Sequence, residues 1–158
     1  MPESILELSL PDEAATARLG ERLARLLTAP RPEAFIVYLT GPLGAGKTHL
    51  VRGLLRALGV TATVRSPTFT LLEIYETSGP TCVHLDLYRV AAPGELEQLG
   101  LRELLEPGHL WLVEWPERGQ GTLPPADLTV DLQFHGAGRL ARLTFPQSAL
   151  PLWGRGLG

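Results

Sequence analysis

Residues 38–51 read YLTGPLGAGKTHLV, and this stretch decides the fold that the sequence predicts. A continuous apolar run from Phe35 to Leu39 leads into it and is typical of a buried parallel strand. After the glycines, helical spacing extends from about Lys47 to Leu58 and ends at Gly59. A strand, a glycine loop and a helix in this order predict the βα unit of an α/β fold.

The glycine loop, Gly41 to Thr48, matches the phosphate-loop pattern G-x-x-x-x-G-K-[ST] at every fixed position. Glycines let successive backbone N–H groups turn inward around phosphate oxygens, and the helix N-terminus adds a favourable field. Lys47 would reach the β- and γ-phosphates, and the Thr48 hydroxyl would bind Mg²⁺. A glycine-rich turn without a ligand is the alternative. We favour a nucleotide site because both flanks fit and Lys47 is the single lysine of the chain.

Two acids are candidates to complete this site, because a phosphate loop needs a carboxylate near the metal, usually at the end of a neighbouring strand. Asp86 follows the apolar run CVHL, and Glu114 ends the run HLWLV. Both could instead be strand-end charges that face solvent. Each lies beside an aromatic residue, Tyr88 or Trp115, and we therefore interpret both acids as catalytic candidates together with Lys47.

The stretch SPTF, residues 66–69, adds hydroxyl groups between the phosphate-loop helix and the next strand. Two interpretations stay open: a segment that becomes ordered around the γ-phosphate, or an ordinary turn that Ser-Pro favours. The four histidines share no metal-ligand spacing, and no chemistry is predicted for them: His49, His84, His109 and His135.

The composition restricts the class of protein. With 158 residues and 44% hydrophobic residues, the chain fits one globular domain. Its net charge of −3 argues against a domain that binds nucleic acid by itself. No apolar run approaches the roughly 20 residues that span a bilayer, and the N-terminus does not resemble a signal peptide, so we expect a cytoplasmic protein without membrane contact. The lone Cys82 is interpreted as a buried, inert thiol.

The remaining pattern predicts the outline of the fold. Ser4 to Leu10 is predicted to be a strand, and Asp12 the cap of the following helix. LTVDLQF and RLARLTF flank a turn and predict a C-terminal β-hairpin. We therefore predict one α/β domain of the phosphate-loop NTPase kind over 1–146. Its sheet is mixed, mostly parallel and flanked by helices, and a loose tail follows over 147–158.

In order along the chain, the segments PDE, GPLGAGKT, SPTFTL, HLDLYR and EWPERGQGTLP resemble the TsaE family, bacterial phosphate-loop ATPases formerly called YjeE. The likeness extends from about Leu10 to Phe145. It implies a part in forming N6-threonylcarbamoyladenosine in tRNAs that read codons beginning with A. The implied activity is slow hydrolysis of ATP with Mg²⁺. The implied partners are TsaD and TsaB, and the protein would contact tRNA indirectly, through the complex with them.

The resemblance also implies roles for single residues. Thr48 and Glu114 would bind Mg²⁺, directly or through water, and Asp86 would prepare the attacking water. The implied nucleotide-binding residues include Asp12, near the base, and Gly138, which would make a backbone contact from the hairpin turn. The others belong to the loop and the start of the helix: Gly44, Ala45, Gly46, Lys47, Thr48 and His49.

Three functions compete at this point. A small-molecule or nucleotide kinase has a similar loop, but needs a lid that usually carries several arginines, and no compact insertion of that kind is evident. A binding module whose signal is nucleotide occupancy is the second. We favour the third, a weak ATPase that acts as a switch, with either Asp86 or Glu114 orienting the water.

Overall fold

The computed structural model describes residues 3–28, 33–67 and 70–146, which share one seven-stranded sheet. The strands are β1 (Glu3–Leu10), β2 (Phe35–Thr40), β3 (Leu72–Tyr75), β4 (Cys82–Asp86), β5 (Leu110–Glu114), β6 (Leu128–His135) and β7 (Gly138–Pro146). The α-helices are α1 (Glu13–Leu26) and α2 (Lys47–Ala57), and three 3₁₀ helices span Pro93–Leu99, Leu101–Leu104 and Pro116–Gly119.

The strand order is β1-β7-β6-β2-β5-β4-β3. The central pairs β6–β2, β2–β5 and β5–β4 are parallel, whereas the outer pairs β1–β7, β7–β6 and β3–β4 are antiparallel. All strands except β7 and β3 therefore run in one direction within the described residues. The predicted α/β fold, with a mixed, mostly parallel sheet and a C-terminal hairpin, is confirmed.

Burial follows the position of each strand. Every residue of β4 and β5 is buried, as expected for parallel strands covered on both faces. One face of the sheet packs against α1 and α2 and carries the larger apolar cluster. The other face of β4 and β5 packs against the 3₁₀ helices through residues such as Leu96 and Leu101. On β6, Leu128, Val130 and Leu132 are buried and alternate with more exposed neighbours.

Helix α1 begins where Asp12 accepts a hydrogen bond from the backbone N–H of Ala15 at 2.8 Å. Such a cap stabilises a helix by about 1 kcal/mol, and it confirms the predicted helix start. A close approach between α1 and α2 occurs at Gly53, where an added Cβ would lie 2.3 Å from the carbonyl oxygen of Ala17. This contact fixes α2, and with it the phosphate loop, against α1.

Strand β4 ends at Asp86, whose carboxylate accepts a hydrogen bond from the backbone N–H of Tyr88 at 3.0 Å and turns the chain. The predicted tail over 147–158 and two residues of SPTF, Thr68 and Phe69, lie outside the described residues.

Within the described ranges, no helix combines the length and the apolar character needed to cross a lipid bilayer. Cys82 is buried, as predicted, and burial together with the nearby Glu76 charge raises the pKa of its thiol to about 12. Because the thiolate is the reactive form of cysteine, this side chain is chemically inert near neutral pH.

Candidate functional site

The glycine loop connects the end of β2 to the start of α2. Gly46, immediately before α2, has a φ of 109°, a left-handed conformation that glycine adopts without strain. Since glycine has no side chain, no capping oxygen covers the first N–H groups of α2. The free N–H groups and the helix field make this helix start suited to an anion.

The two predicted acids meet at the carboxyl ends of neighbouring strands. Asp86 and Glu114 are register partners in the parallel pair β4–β5, and both are nearly buried. The Thr48 hydroxyl, in the first turn of α2, lies 3.4 Å from Oε1 of Glu114. These residues, the loop and Lys47 line one cavity of about 370 Å³. The sequence-predicted catalytic and metal-binding residues are therefore brought together.

Ser66, the first residue of SPTF, connects the two acids. Its hydroxyl donates a hydrogen bond to Oδ2 of Asp86 and lies 3.3 Å from Oε2 of Glu114. The start of this loop is therefore in direct contact with both carboxylates. Any group that draws either carboxylate toward the cavity also changes the contacts of Ser66.

Lys47 is held beside the cavity by two contacts. Its ammonium group donates a hydrogen bond to the Gly41 carbonyl at 2.6 Å and lies 3.6 Å from the centroid of the Trp115 ring. Burial lowers the pKa of Lys47, and nearby carboxylates, Glu114 first among them, oppose this shift. A phosphate anion in the cavity would favour the charged ammonium further.

Trp115 closes this side of the cavity in a strained conformation. Its φ of 58° is left-handed, which is rare for a bulky residue and costs on the order of 1–3 kcal/mol. Its ring packs against Tyr88, with the ring centroids 5.0 Å apart, as well as against Lys47. Such strain concentrates at functional sites, where the surrounding contacts maintain it.

A second cavity, of about 310 Å³, lies on the other side of the loop and shares Gly44, Gly46 and His49 with the first. Asp12, the predicted base-side acid, and Gly138, the predicted backbone contact from the hairpin turn, both line it. The two cavities are therefore adjacent and meet at the glycine loop. The His49 ring faces α1, where its Nε2 lies 3.6 Å from Oε1 of Glu13.

Arg139 also lines the second cavity, although the sequence pattern does not predict it. Its Nε and Nη2 donate hydrogen bonds to the carbonyl oxygens of Ala45 and Gly44, both at 3.1 Å. The hairpin strand β7 is therefore tied directly to the loop. The only feature of the sequence that points to Arg139 is weak, namely its position directly after Gly138, a predicted contact of the nucleotide.

His84 was also missed. Its Nε2 lies 2.7 Å from Oε2 of Glu114, and the two side chains are 0% and 3% exposed. Alternation along β4 was the signal that could have found it, because His84 and Asp86 are two residues apart and therefore share one face of the strand. The sequence pattern assigns no chemistry to His84, whereas the structure places it in direct contact with Glu114, one of the two predicted acids.

A metal ion at this site would need ligands from the nucleotide and from water as well as from the protein. Within 3–28, 33–67 and 70–146, no group of three or more His, Cys, Asp or Glu side chains is arranged to hold a metal ion. Mg²⁺ in nucleotide sites is normally bound by one or two protein groups, phosphate oxygens and water. The pair Thr48 and Glu114 fits that requirement.

A cavity of about 520 Å³ lies elsewhere, between the first two 3₁₀ helices and residues 121–122. It shares no lining residue with the two loop cavities, and no lysine or glycine loop contributes to it. Chemical groups rather than volume therefore identify the loop cavities as the candidate site.

The chain is similar to known proteins over most of its length. A profile of the family described as "Threonylcarbamoyl adenosine biosynthesis protein TsaE" matches residues 10–142. Two similar proteins are both described as tRNA threonylcarbamoyladenosine biosynthesis protein TsaE. The Haemophilus influenzae protein is 44% identical over 131 residues, covering 82% of this chain and 83% of its own. The Synechocystis protein is 43% identical over 122 residues, covering 75% and 74%.

A solved structure has the same fold. The crystal structure of Bacillus subtilis YdiB is similar with a TM-score of 0.78 and 25% sequence identity, over 98% of this chain and 95% of that one. The family profile spans both the glycine loop and the two strand-end acids. The chain belongs to the TsaE family.

Proposed function

We propose that this protein binds Mg-ATP at the glycine loop and hydrolyses it slowly, as a switch in the formation of N6-threonylcarbamoyladenosine in tRNAs that read codons beginning with A. The family assignment supports the pathway, since the relatives carry that biosynthetic name. One observation carries the ATPase part: the loop, Lys47, Thr48, Asp86 and Glu114 line one cavity. ATP rather than GTP follows from the resemblance to the family.

The donor groups around the loop fit a magnesium-bound triphosphate. The N–H groups at the start of α2 and the Lys47 ammonium would bind phosphate oxygens. Thr48 and Glu114 would hold Mg²⁺, whose charge, when bound, lowers the cost of charge that develops on the phosphates. The 3.4 Å separation between the Thr48 hydroxyl and Glu114 supports a shared role toward the same ion.

Asp86 is the better candidate to orient the attacking water. Glu114 already faces Thr48 with one oxygen, whereas Asp86 faces Ser66 and the backbone N–H of Tyr88. Water would attack the γ-phosphoryl group while Lys47 and the loop amides stabilise the developing negative charge. With no arginine-rich lid predicted to exclude water, slow hydrolysis is the expected reaction.

The nucleotide state would be transmitted through Ser66 and the segment after Asp86. Ser66 contacts both carboxylates, and Tyr88 packs on Trp115, which in turn covers Lys47. A γ-phosphate that moves Lys47 or Asp86 would therefore disturb both segments. Tyr88 is 38% exposed, so the change would alter the surface offered to a partner.

The proposed partners are homologues of TsaD and TsaB, and tRNA would be met indirectly through that complex. The net charge of −3 is consistent with weak affinity of the free protein for tRNA. The proposal keeps the cytoplasmic location expected from the sequence.

The test is reconstitution of the modification with purified protein, TsaD, TsaB, tRNA, ATP and the small-molecule precursors. Wild type and Lys47→Ala are compared, and modified adenosine in the tRNA is measured together with released phosphate. We expect formation of the modified nucleoside to depend on this protein and to be lost with Lys47→Ala.

Two results would contradict the proposal. Equal modification with and without this protein would remove it from the pathway. Transfer of phosphate from ATP to a small acceptor, rather than to water, would make a kinase the better description.

A further inference from the structure

His84 is a buried polar side chain that the proposed mechanism does not use. It lies in the middle of β4, two residues before Asp86, and its side chain is 0% exposed. Burying an imidazole requires a hydrogen-bonding partner, and here that partner is Glu114, with Nε2 and Oε2 2.7 Å apart. His84 therefore contacts Glu114, the proposed ligand of Mg²⁺, from the neighbouring strand of the sheet.

The two oxygens of Glu114 have different surroundings. Oε2 is near Nε2 of His84 at 2.7 Å and the Ser66 hydroxyl at 3.3 Å. Oε1 is near the Thr48 hydroxyl at 3.4 Å. A carboxylate with fewer partners on Oε2 could rotate about the last bond of its side chain and turn its plane away from Thr48. The short contact from His84 restricts this rotation, so that one oxygen stays directed at Thr48.

The hydrogen-bond pattern defines the tautomer of His84. A carboxylate accepts hydrogen bonds, so Nε2 of His84 is the donor and carries the proton. Nδ1 has no hydrogen-bond partner among the described residues. A proton on Nδ1 would be a buried donor without an acceptor, which is costlier than an unpaired lone pair there. A proton on Nε2 rather than on Nδ1 is therefore the arrangement that satisfies the hydrogen bonds of this site.

We propose that His84 is a positioning residue that orients Glu114 toward Thr48 and thereby sets the affinity of the nucleotide site for Mg²⁺. This inference rests on the proposed function, because it takes Glu114 as a metal-side ligand. Groups that orient a metal ligand in this way commonly change metal affinity by about 10–100-fold when they are removed.

The matched variants are His84→Gln and His84→Met. Glutamine can present an amide N–H near the position of Nε2, whereas methionine has a similar length and no donor. His109→Met is the control for the substitution itself, because His109 is hydrogen-bonded to the Leu104 carbonyl away from the loop. Melting temperatures first identify which variants fold.

The measurement is calorimetric binding of a non-hydrolysable ATP analogue, with Mg²⁺ varied or with EDTA. For His84→Met we expect a rise of about tenfold or more in the Mg²⁺ concentration that gives half of the maximal increase in analogue affinity. The affinity for the analogue in EDTA should stay within about twofold of wild type. His84→Gln should recover most of the loss, and His109→Met should behave as wild type.

Three results would overturn the inference. One is a wild-type Mg²⁺ requirement in folded His84→Met. The second is an equal loss of affinity with Mg²⁺ and with EDTA, which indicates a merely structural role. The third is wild-type protein that binds the analogue equally with and without Mg²⁺, which contradicts the metal part of the proposed function as well.

A measurement on wild type covers the case in which the variants do not fold. Nitrogen-15 spectra of the His84 ring should show a protonated Nε2 and an unprotonated Nδ1, and the Nε2 signal should shift when Mg²⁺ is added to protein saturated with the analogue. The opposite tautomer, or a signal unchanged by Mg²⁺, would contradict the proposal.

Discussion

The hydroxyl of Thr48 and Oε1 of Glu114 lie 3.4 Å apart, although 66 positions separate the two residues in the chain. Thr48 is placed by the first turn of α2 and Glu114 by the end of β5, two rigid elements on either side of the loop cavity. In the proposed function, this proximity lets the two side chains share one magnesium ion.

Replacement of Thr48 tests this pairing. Thr48→Ala removes the hydroxyl, so we expect the affinity for the Mg²⁺-bound ATP analogue to fall by about tenfold or more, as for loss of a bond to a charged group. Thr48→Ser keeps the hydroxyl and is the matched control. Calorimetry with Mg²⁺ and with EDTA checks this, and an equal effect under both conditions would count against a metal role.

Arg139 is expected to support the loop from the hairpin. Arg139→Ala removes two hydrogen bonds to loop carbonyls, so nucleotide affinity should fall by roughly tenfold, with and without Mg²⁺. The control is Arg142→Ala, on the same strand, where a half-exposed ion pair with Glu7 at 3.9 Å should contribute little. Similar affinities for the two variants would show that the loop does not need this contact.

Gly53 tests the packing of α2 on α1. Gly53→Ala would bring Cβ within 2.3 Å of the Ala17 carbonyl oxygen, so the helices must separate, and we expect the protein to lose about 1–3 kcal/mol of unfolding free energy. The control is Gly94→Ala, where an added Cβ meets no atom within 4 Å. Urea denaturation measures both, and a more stable Gly53→Ala protein would mean that helix propensity outweighs the contact.

Because burial raises the pKa of the Cys82 thiol, we expect the stability of the protein to depend on pH. Its pKa is about 12 in the folded protein and roughly 8.5 when exposed. Between these values the unfolded chain loses the proton while the folded chain keeps it, so this contribution to stability falls as pH rises, by up to about 1.4 kcal/mol per pH unit.

Cys82→Ala isolates that contribution. The unfolding free energy of wild type and Cys82→Ala should be compared between about pH 8 and pH 10.5. Tyr38 and Tyr75, whose pKa values burial also raises, are common to both proteins and cancel in the difference. Wild type should lose stability relative to Cys82→Ala as pH rises. Parallel curves would show that the thiol is exposed to solvent in the folded state.

The fold and the core of the site were predictable because their signals are local. The glycine loop lies between a strand and a helix in one continuous segment, and each strand-end acid directly follows an apolar run. Parallel strands bring their carboxyl ends to one edge of the sheet, so Asp86 and Glu114 could be expected to meet.

The contacts that sequence reasoning missed depend on distant pairings. His84 reaches Glu114 across 30 positions because β4 pairs with β5 in one particular register. Arg139 contacts Ala45 of the loop, 94 positions away in the chain. This contact depends on the pairing of β7 with β6, which places Arg139 at the second cavity. Neither register can be deduced from alternation alone.

The most direct test of the central claim is the release of phosphate from Mg-ATP by the purified protein, compared between wild type and Lys47→Ala. We expect slow release by wild type that requires Mg²⁺, and a rate lowered by about 100-fold or to background in Lys47→Ala, whose folding should be checked by its melting temperature. Wild type without turnover, or a folded Lys47→Ala protein as active as wild type, would contradict an ATPase at the glycine loop.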